Sequence, residues 1–143
     1  KYHAEIFSRL HTPSPQIALG IALRGLATSA IDISDGLQAD LGHILDASHA
    51  GAIINPELLP LSEALRQLPP QQGWEIALTS GDDYELCFTL PASTDQAQIT
   101  RLLAICPIKD IGRITAERDV RWQRSDGSEF IPAGTGYKHF QNG

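Results

Sequence analysis

The sequence predicts a layered α+β domain, and three observations lead there. A chain of 143 residues, 42% hydrophobic and 20% charged, is enough for one globular domain with a real core. Hydrophobic residues recur with period 2 in some stretches and near 3.6 in others, so strands and helices coexist. Their order along the chain is irregular, which favours α+β layers over a regular doubly wound sheet. No internal repeat or low-complexity tract breaks the chain. A single domain is therefore expected over residues 1–143, with 1–20 as an extended lead-in and 134–143 as a C-terminal loop.

The segment KYHAEIFSRLHTPSPQIALG carries a short helical pattern followed by Pro13 and Pro15, as suits a lead-in rather than a core element. Apolar positions in IALGIALRGL, residues 17–26, are spaced like a helix. TSAIDIS, residues 28–34, reads as a strand ending at Ser34, with Ile31 and Ile33 on one face and Asp32 and Ser34 on the other. From Gly36 to about Ala50, Leu37, Leu41, Ile44 and Leu45 fall at i, i+4, i+7 and i+8, one helical stripe. Ser34 or Asp35 is the expected N-cap of that helix, and Gly51 its expected stop.

GAIIN is the next strand, and Ser62 caps a short helix to Leu68 that Pro69-Pro70 cannot continue. A short helix is expected around WEIAL. The loop Ser80-Gly81-Asp82-Asp83 then leads straight into a strand in which Tyr84, Leu86, Phe88 and Leu90 alternate with Glu85, Cys87 and Thr89, one face buried. Thr94 to Cys106 is amphipathic through Ile99, Leu102 and Leu103. IKDIGRIT and VRWQRSDGSEFI read as strands, the latter folded back at Asp126-Gly127, a strong hairpin signal.

Bulk composition excludes several function classes. A formal charge of −6 with no Lys/Arg run repels phosphate backbones and anionic lipid, so neither nucleic acid nor a membrane surface is expected as partner. A polyanionic small ligand would need metal ions as intermediaries. No apolar run reaches the roughly 18 residues of a membrane span and no signal-peptide pattern opens the chain, so the cytoplasm is the default location. The chain begins at Lys1 and lacks methionine, which reads as a piece of a longer protein. Cys87 and Cys106 have no metal-site spacing; Cys87 lies in an apolar run and reads as a small buried hydrophobe. His3, His11, His43 and His49 lack partners at ligand spacing and are expected at the surface.

Three stretches carry candidate chemistry. In DISDG, Asp35 at a helix start is by itself more often a cap than a ligand. Asp32 is harder to dismiss, because the interior of a β-branched strand is a poor place for aspartate, and it shares a face with Ser34. If that strand end opens to a cleft, Asp32, Ser34 and Asp35 offer hard oxygen ligands beside the positive end of a helix, and Gly36 leaves room for a phosphate. Aspartate-rich loops also serve as calcium sites and as plain turns. The second stretch, SGDDYEL, offers Asp82 and Asp83 to a cationic ring, although adjacent aspartates in a Gly-containing turn are most often turn formers. The third is GTGYKHF, in which Tyr137 either stacks on a flat heterocycle or docks the tail on the core. There is no GxxxxGK(S/T) phosphate loop, no protein-kinase motif set, and no nucleophile with a base beside it.

Taken in order, IDISDGLQADLGHIL, NPELLPLS, SGDDYELCFTLP and GYKHF resemble the C-terminal half of the thiamine-monophosphate kinase family, within the aminoimidazole ribonucleotide synthetase superfamily. The resemblance covers nearly the whole chain. It implies a layered α/β/α domain with a mixed sheet, and a two-domain enzyme that moves the γ-phosphoryl of ATP directly, in line, onto thiamine monophosphate. The N-terminal domain, absent from this chain, would form the homodimer and supply most of the nucleotide and Mg²⁺ site.

Carried over residue by residue, the resemblance assigns Asp32 and Asp35 to Mg²⁺, Ser34 to the nucleotide phosphates, and Asp82, Asp83 and Tyr137 to the thiamine moiety. Two departures stand out: the family usually has Gly-Glu-Asp-Tyr-Glu where this chain has Gly81-Asp82-Asp83-Tyr84-Glu85, and Arg after its Pro-x-Pro lead-in where this chain has Gln16. The competing readings are another ATP-using enzyme of the superfamily and a non-catalytic metal-binding module. SGDDYEL and GYKHF favour the thiamine branch. Phosphoryl transfer asks mainly for alignment and cations, so the missing general base is no obstacle.

Overall fold

The computed structural model describes residues 16–81 and 85–133. Helix α1 (Ile17–Ala22) opens the described chain and ends sooner than the expected residue 26, since the chain turns at Gly25, where φ is 73°. Strand β1 (Ser29–Asp32) follows, with Ser29 and Ile31 half-buried and Ala30 and Asp32 exposed, as its alternation predicts.

Helix α2 (Leu37–Ser48) presents Leu37, Leu41, Ile44 and Leu45 inward. Its ends correct two expectations. The N-cap is Gly36, at φ 105° and with no side-chain cap, rather than Ser34 or Asp35. The helix stops at His49 in the left-handed region (φ 52°), and Gly51 instead starts the next strand. Glycine is needed there for another reason: a Cβ on Gly51 would lie 1.9 Å from the Glu117 carbonyl oxygen.

Strand β2 (Gly51–Ile54) leads into a 3₁₀ turn at Pro56–Leu58, capped by the Asn55 side chain. Helix α3 (Glu63–Arg66) has the expected Ser62 cap, accepting from the Leu65 N–H at 3.3 Å. Helix α4 (Pro70–Thr79) is longer than expected. Pro69-Pro70 ends α3, yet Pro70 is also well suited to the first position of a new helix, where its missing N–H costs nothing. Strand β3 (Leu86–Thr89), helix α5 (Gln96–Leu103), strand β4 (Gly112–Thr115) and strand β5 (Val120–Trp122) complete the set. A capping box between Asp95 and Gln98 starts α5. Beyond β5 the chain turns at Gly127 (φ 85°) and returns through a single antiparallel bridge, Gln123 to Glu129, so the hairpin forms but its second arm is not a full strand.

The strands make two sheets. In the first, β1 and β3 pair antiparallel, with Ser29 opposite Thr89 and Asp32 opposite Leu86. The second is mixed: β2 lies between β4, antiparallel, and β5, parallel.

The β1–β3 ribbon separates two apolar clusters. Leu37, Leu41, Leu45, Ala52, Ile54, Leu59, Leu78, Trp122 and Phe130 form the larger, with Ile33 and Cys87 packed against it. Leu19, Leu23 and Leu102 form the smaller, against Leu86, Phe88 and Leu90. Strand β3 is thus covered on both faces, where a single buried face was expected. Trp74 of α4 meets Phe130 edge to face at 5.5 Å, joining α4 to the returning chain after β5. No helix among the described residues is long and apolar enough to cross a membrane.

Candidate functional site

DISDG and the described residues Gly81 and Glu85 of SGDDYEL, far apart in sequence, lie together at one end of the β1–β3 ribbon. Past Asp32 the pairing continues for one more bond, the Ile33 N–H donating to the Glu85 carbonyl at 2.9 Å. Gly81 lies so close to this loop that a Cβ there would sit 2.2 Å from the Ser34 carbonyl oxygen. Gly36 is pressed against the end of α4, where a Cβ would meet the Leu78 carbonyl at 2.8 Å. The backbone of residues 33–36 is therefore stacked on both Gly81 and the last turn of α4. Only residues without a Cβ permit that approach.

Within this frame, Asp32, Ser34 and Asp35 are all exposed, and their side chains make no hydrogen bond or ion pair with another described residue. Their oxygens are open to a ligand rather than consumed by capping α2. Asp82, Asp83 and Tyr137 lie outside the described residues; the neighbours Gly81 and Glu85 place the ends of the SGDDYEL motif beside Ser34.

Two features of the site escaped sequence reasoning. Asp40, in the first turn of α2, is 2% exposed and is the one buried charged side chain among the described residues. Its Oδ2 accepts the N–H of Ser34 at 2.8 Å and that of Asp35 at 3.1 Å. A signal was present: position 40 falls on the buried stripe with Leu37, Leu41 and Ile44, and a carboxylate on such a face requires hydrogen-bond donors. The second is Gln16, whose Nε2 donates to Glu85 Oε2 at 3.2 Å. The residue standing where the family tends to have Arg thus touches the end of the second motif.

The arrangement defines what the site can do chemically. Among the described residues, no group of three or more His, Cys, Asp or Glu side chains is placed to hold a metal ion. The carboxylates of Asp32 and Asp35 are hard oxygen donors, the type Mg²⁺ takes together with waters and phosphate oxygens. The backbone N–H groups of Ser34 and Asp35, however, are taken by Asp40, so a phosphate meets side chains at these two residues and not a nest of amides. Cys87, behind the loop, is no nucleophile: burial first, and the Asp40 charge second, push its thiol up to about 11. A groove of about 380 Å³ between α2 and the chain around β5, lined by Gln38, Gly42, Trp122 and Phe130 among others, contains none of the residues singled out from sequence.

The family model described as AIR synthase related protein, C-terminal domain, matches residues 10–124. Thiamine-monophosphate kinase of Escherichia coli (strain K12) is 47% identical over 130 residues, 90% of this chain and 40% of that protein. The crystal structure of thiamine-monophosphate kinase from Stenotrophomonas maltophilia K279a is similar with a TM-score of 0.73 at 42% identity, covering 84% of this chain and 38% of that one. AaThiL complexed with AMPPCP and TMP is similar with a TM-score of 0.71 at 31% identity, covering 96% of this chain and 41% of that one. The chain thus spans about 40% of the length of these relatives.

Proposed function

The chain belongs to the AIR synthase related protein, C-terminal domain, family, and from that premise we propose that it is the C-terminal domain of an ATP-dependent thiamine-monophosphate kinase. In this reading the intact enzyme transfers the γ-phosphoryl of ATP in line to thiamine monophosphate, giving thiamine diphosphate and ADP. The identity to kinases of that name and the likeness to a structure holding AMPPCP and TMP support it.

The observation that carries the reading is the exposed set Asp32, Ser34 and Asp35, whose side chains have no hydrogen-bond or ion-pair partner among the described residues, beside the described ends of SGDDYEL. Asp32 and Asp35 hold Mg²⁺, which when bound neutralises phosphate charge during transfer. The Ser34 hydroxyl donates to a nucleotide phosphate. Asp82, Asp83 and Tyr137 contact the thiamine moiety, the acids facing its cationic ring. The acceptor is an already ionised phosphate, so no residue need act as base, in keeping with the absence of a candidate base from the motifs. Homodimerisation through the rest of the protein, as the resemblance implies, and a cytoplasmic location belong to the same proposal.

Turnover by the intact protein tests this. Incubation with Mg²⁺, ATP and thiamine monophosphate is expected to yield thiamine diphosphate and ADP in equal amounts, with no turnover of the substrates of other superfamily enzymes. No thiamine diphosphate formed by folded protein contradicts the assignment.

A further inference from the structure

We infer that Asp40 is a positioning residue whose two backbone hydrogen bonds keep the Ser34 and Asp35 side chains turned outward for phosphate and metal, beside Asp32, which strand β1 already exposes; this rests on the proposed role of those three residues.

Local chemistry alone pulls the loop the other way. Ser and Asp immediately before a helix prefer to turn their side chains onto its free N–H groups. Here α2 starts at Gly36 without a side-chain cap, and neither Ser34 nor Asp35 bonds back to it. The difference is Asp40. A single oxygen, Oδ2, takes the N–H of both residues, at 2.8 and 3.1 Å, and draws their backbone inward. With its main chain tied on the inner side, the loop presents its side chains on the outer side, where they are exposed.

The location of Asp40 makes the device stable. It lies in the first turn of α2, where the helix dipole favours a carboxylate. At 2% exposure it exchanges little with water, so these bonds are shielded from competition. Gly36 and Gly81 then hold the loop from its other sides by close backbone contact. The inward N–H groups, fixed by a buried charge, and the outward ligand oxygens are two sides of one turn.

Because both bonds end on one oxygen, substitution separates geometry from charge. The amide oxygen of Asp40→Asn can take the place of Oδ2 and keep both bonds, whereas Asp40→Ala removes them. The test uses the intact protein with Mn²⁺ as probe, its binding followed by electron paramagnetic resonance, together with hydrogen exchange at the Ser34 and Asp35 amides and thermal melting. For Asp40→Ala the expected result is faster exchange at both amides and about 10-fold or more weaker Mn²⁺ binding, with Asp40→Asn restoring the affinity to within about threefold of the parent. A folded Asp40→Ala protein with unchanged exchange and affinity overturns the inference.

Should Asp40→Ala fail to fold, Asp40→Asn decides alone. Protected amides with near-parent affinity support the inference, and a folded protein that has lost either one overturns it. Asp32→Asn separates this from the metal assignment. If that variant binds Mn²⁺ like the parent, the proposed ligand role of Asp32 fails, while the amide exchange still reports on Asp40.

Discussion

Asp32, Asp35 and Asp40 lie within one short stretch, and exposure divides them: Asp32 and Asp35 are open to solvent, Asp40 is buried. The division sorts their energetics. An exposed carboxylate with no side-chain partner among the described residues adds little to stability, so Asp32→Asn is expected to change the stability by no more than an ordinary surface change, about 0.5 kcal/mol. In the proposed enzyme the same change removes a proposed metal ligand, and turnover is expected to fall about 100-fold or more. Calorimetric melting alongside a steady-state assay checks the pair; an unfolded variant would show that Asp32 is structural. At this scale the sequence was legible where residue type conflicts with environment. Asp32 inside a β-branched strand stood out for that reason, and the structure leaves it exposed at the end of β1. Asp40 on an apolar stripe signalled the same kind of conflict and went unread, because Leu37, Leu41, Ile44 and Leu45 already accounted for the helix.

Periodicity located the elements well and their ends less well. The stripe of α2, the Ser62 cap and the position of β1 were all legible, since each depends on residues close in sequence. The N-cap of α2 was not, because Gly36 is held by contact with Leu78 and Thr79, some forty residues away, which local patterns do not record. Strand β3 shows the same limit. Its alternation suggested one buried face, but the chain places a cluster on each side, and Cys87 faces the larger.

That burial has a measurable consequence. The thiol is raised from 9.0 to about 11, so the folded state keeps its proton where the unfolded chain has lost it. The stability that Cys87 contributes is full below about pH 9 and falls as pH rises toward 11. Urea unfolding of the parent and of Cys87→Ala checks this: the stability difference between them is expected to be constant up to about pH 8 and to shrink by about pH 10.5. A difference that does not change with pH would contradict the burial.

Across the described residues, the β1–β3 ribbon both divides two cores and brings DISDG and the flanks of SGDDYEL to one end. Strand β1 carries Asp32 to the ribbon end, β3 departs from Glu85 at the same end, and α4 brings Gly81 up from below. This convergence was not legible from spacing alone, because it depends on the antiparallel register of β1 and β3. The resemblance assigned the two motifs to metal and phosphate on one side and the thiamine moiety on the other. The net charge of −6 suits the proposed use of cations, rather than Lys/Arg, to meet phosphate groups. The chain spans about 40% of its relatives' length, so in the proposed enzyme the remaining donors and metal ligands come from outside it.

The most direct measurement is a crystal structure of the intact protein with Mg²⁺, AMPPCP and thiamine monophosphate. The account predicts carboxylate oxygens of Asp32 and Asp35 at about 2.0–2.1 Å from Mg²⁺, with the Ser34 hydroxyl on a phosphate oxygen. Metal ions held wholly by other residues, with Asp32, Ser34 and Asp35 turned away from the nucleotide, would contradict it.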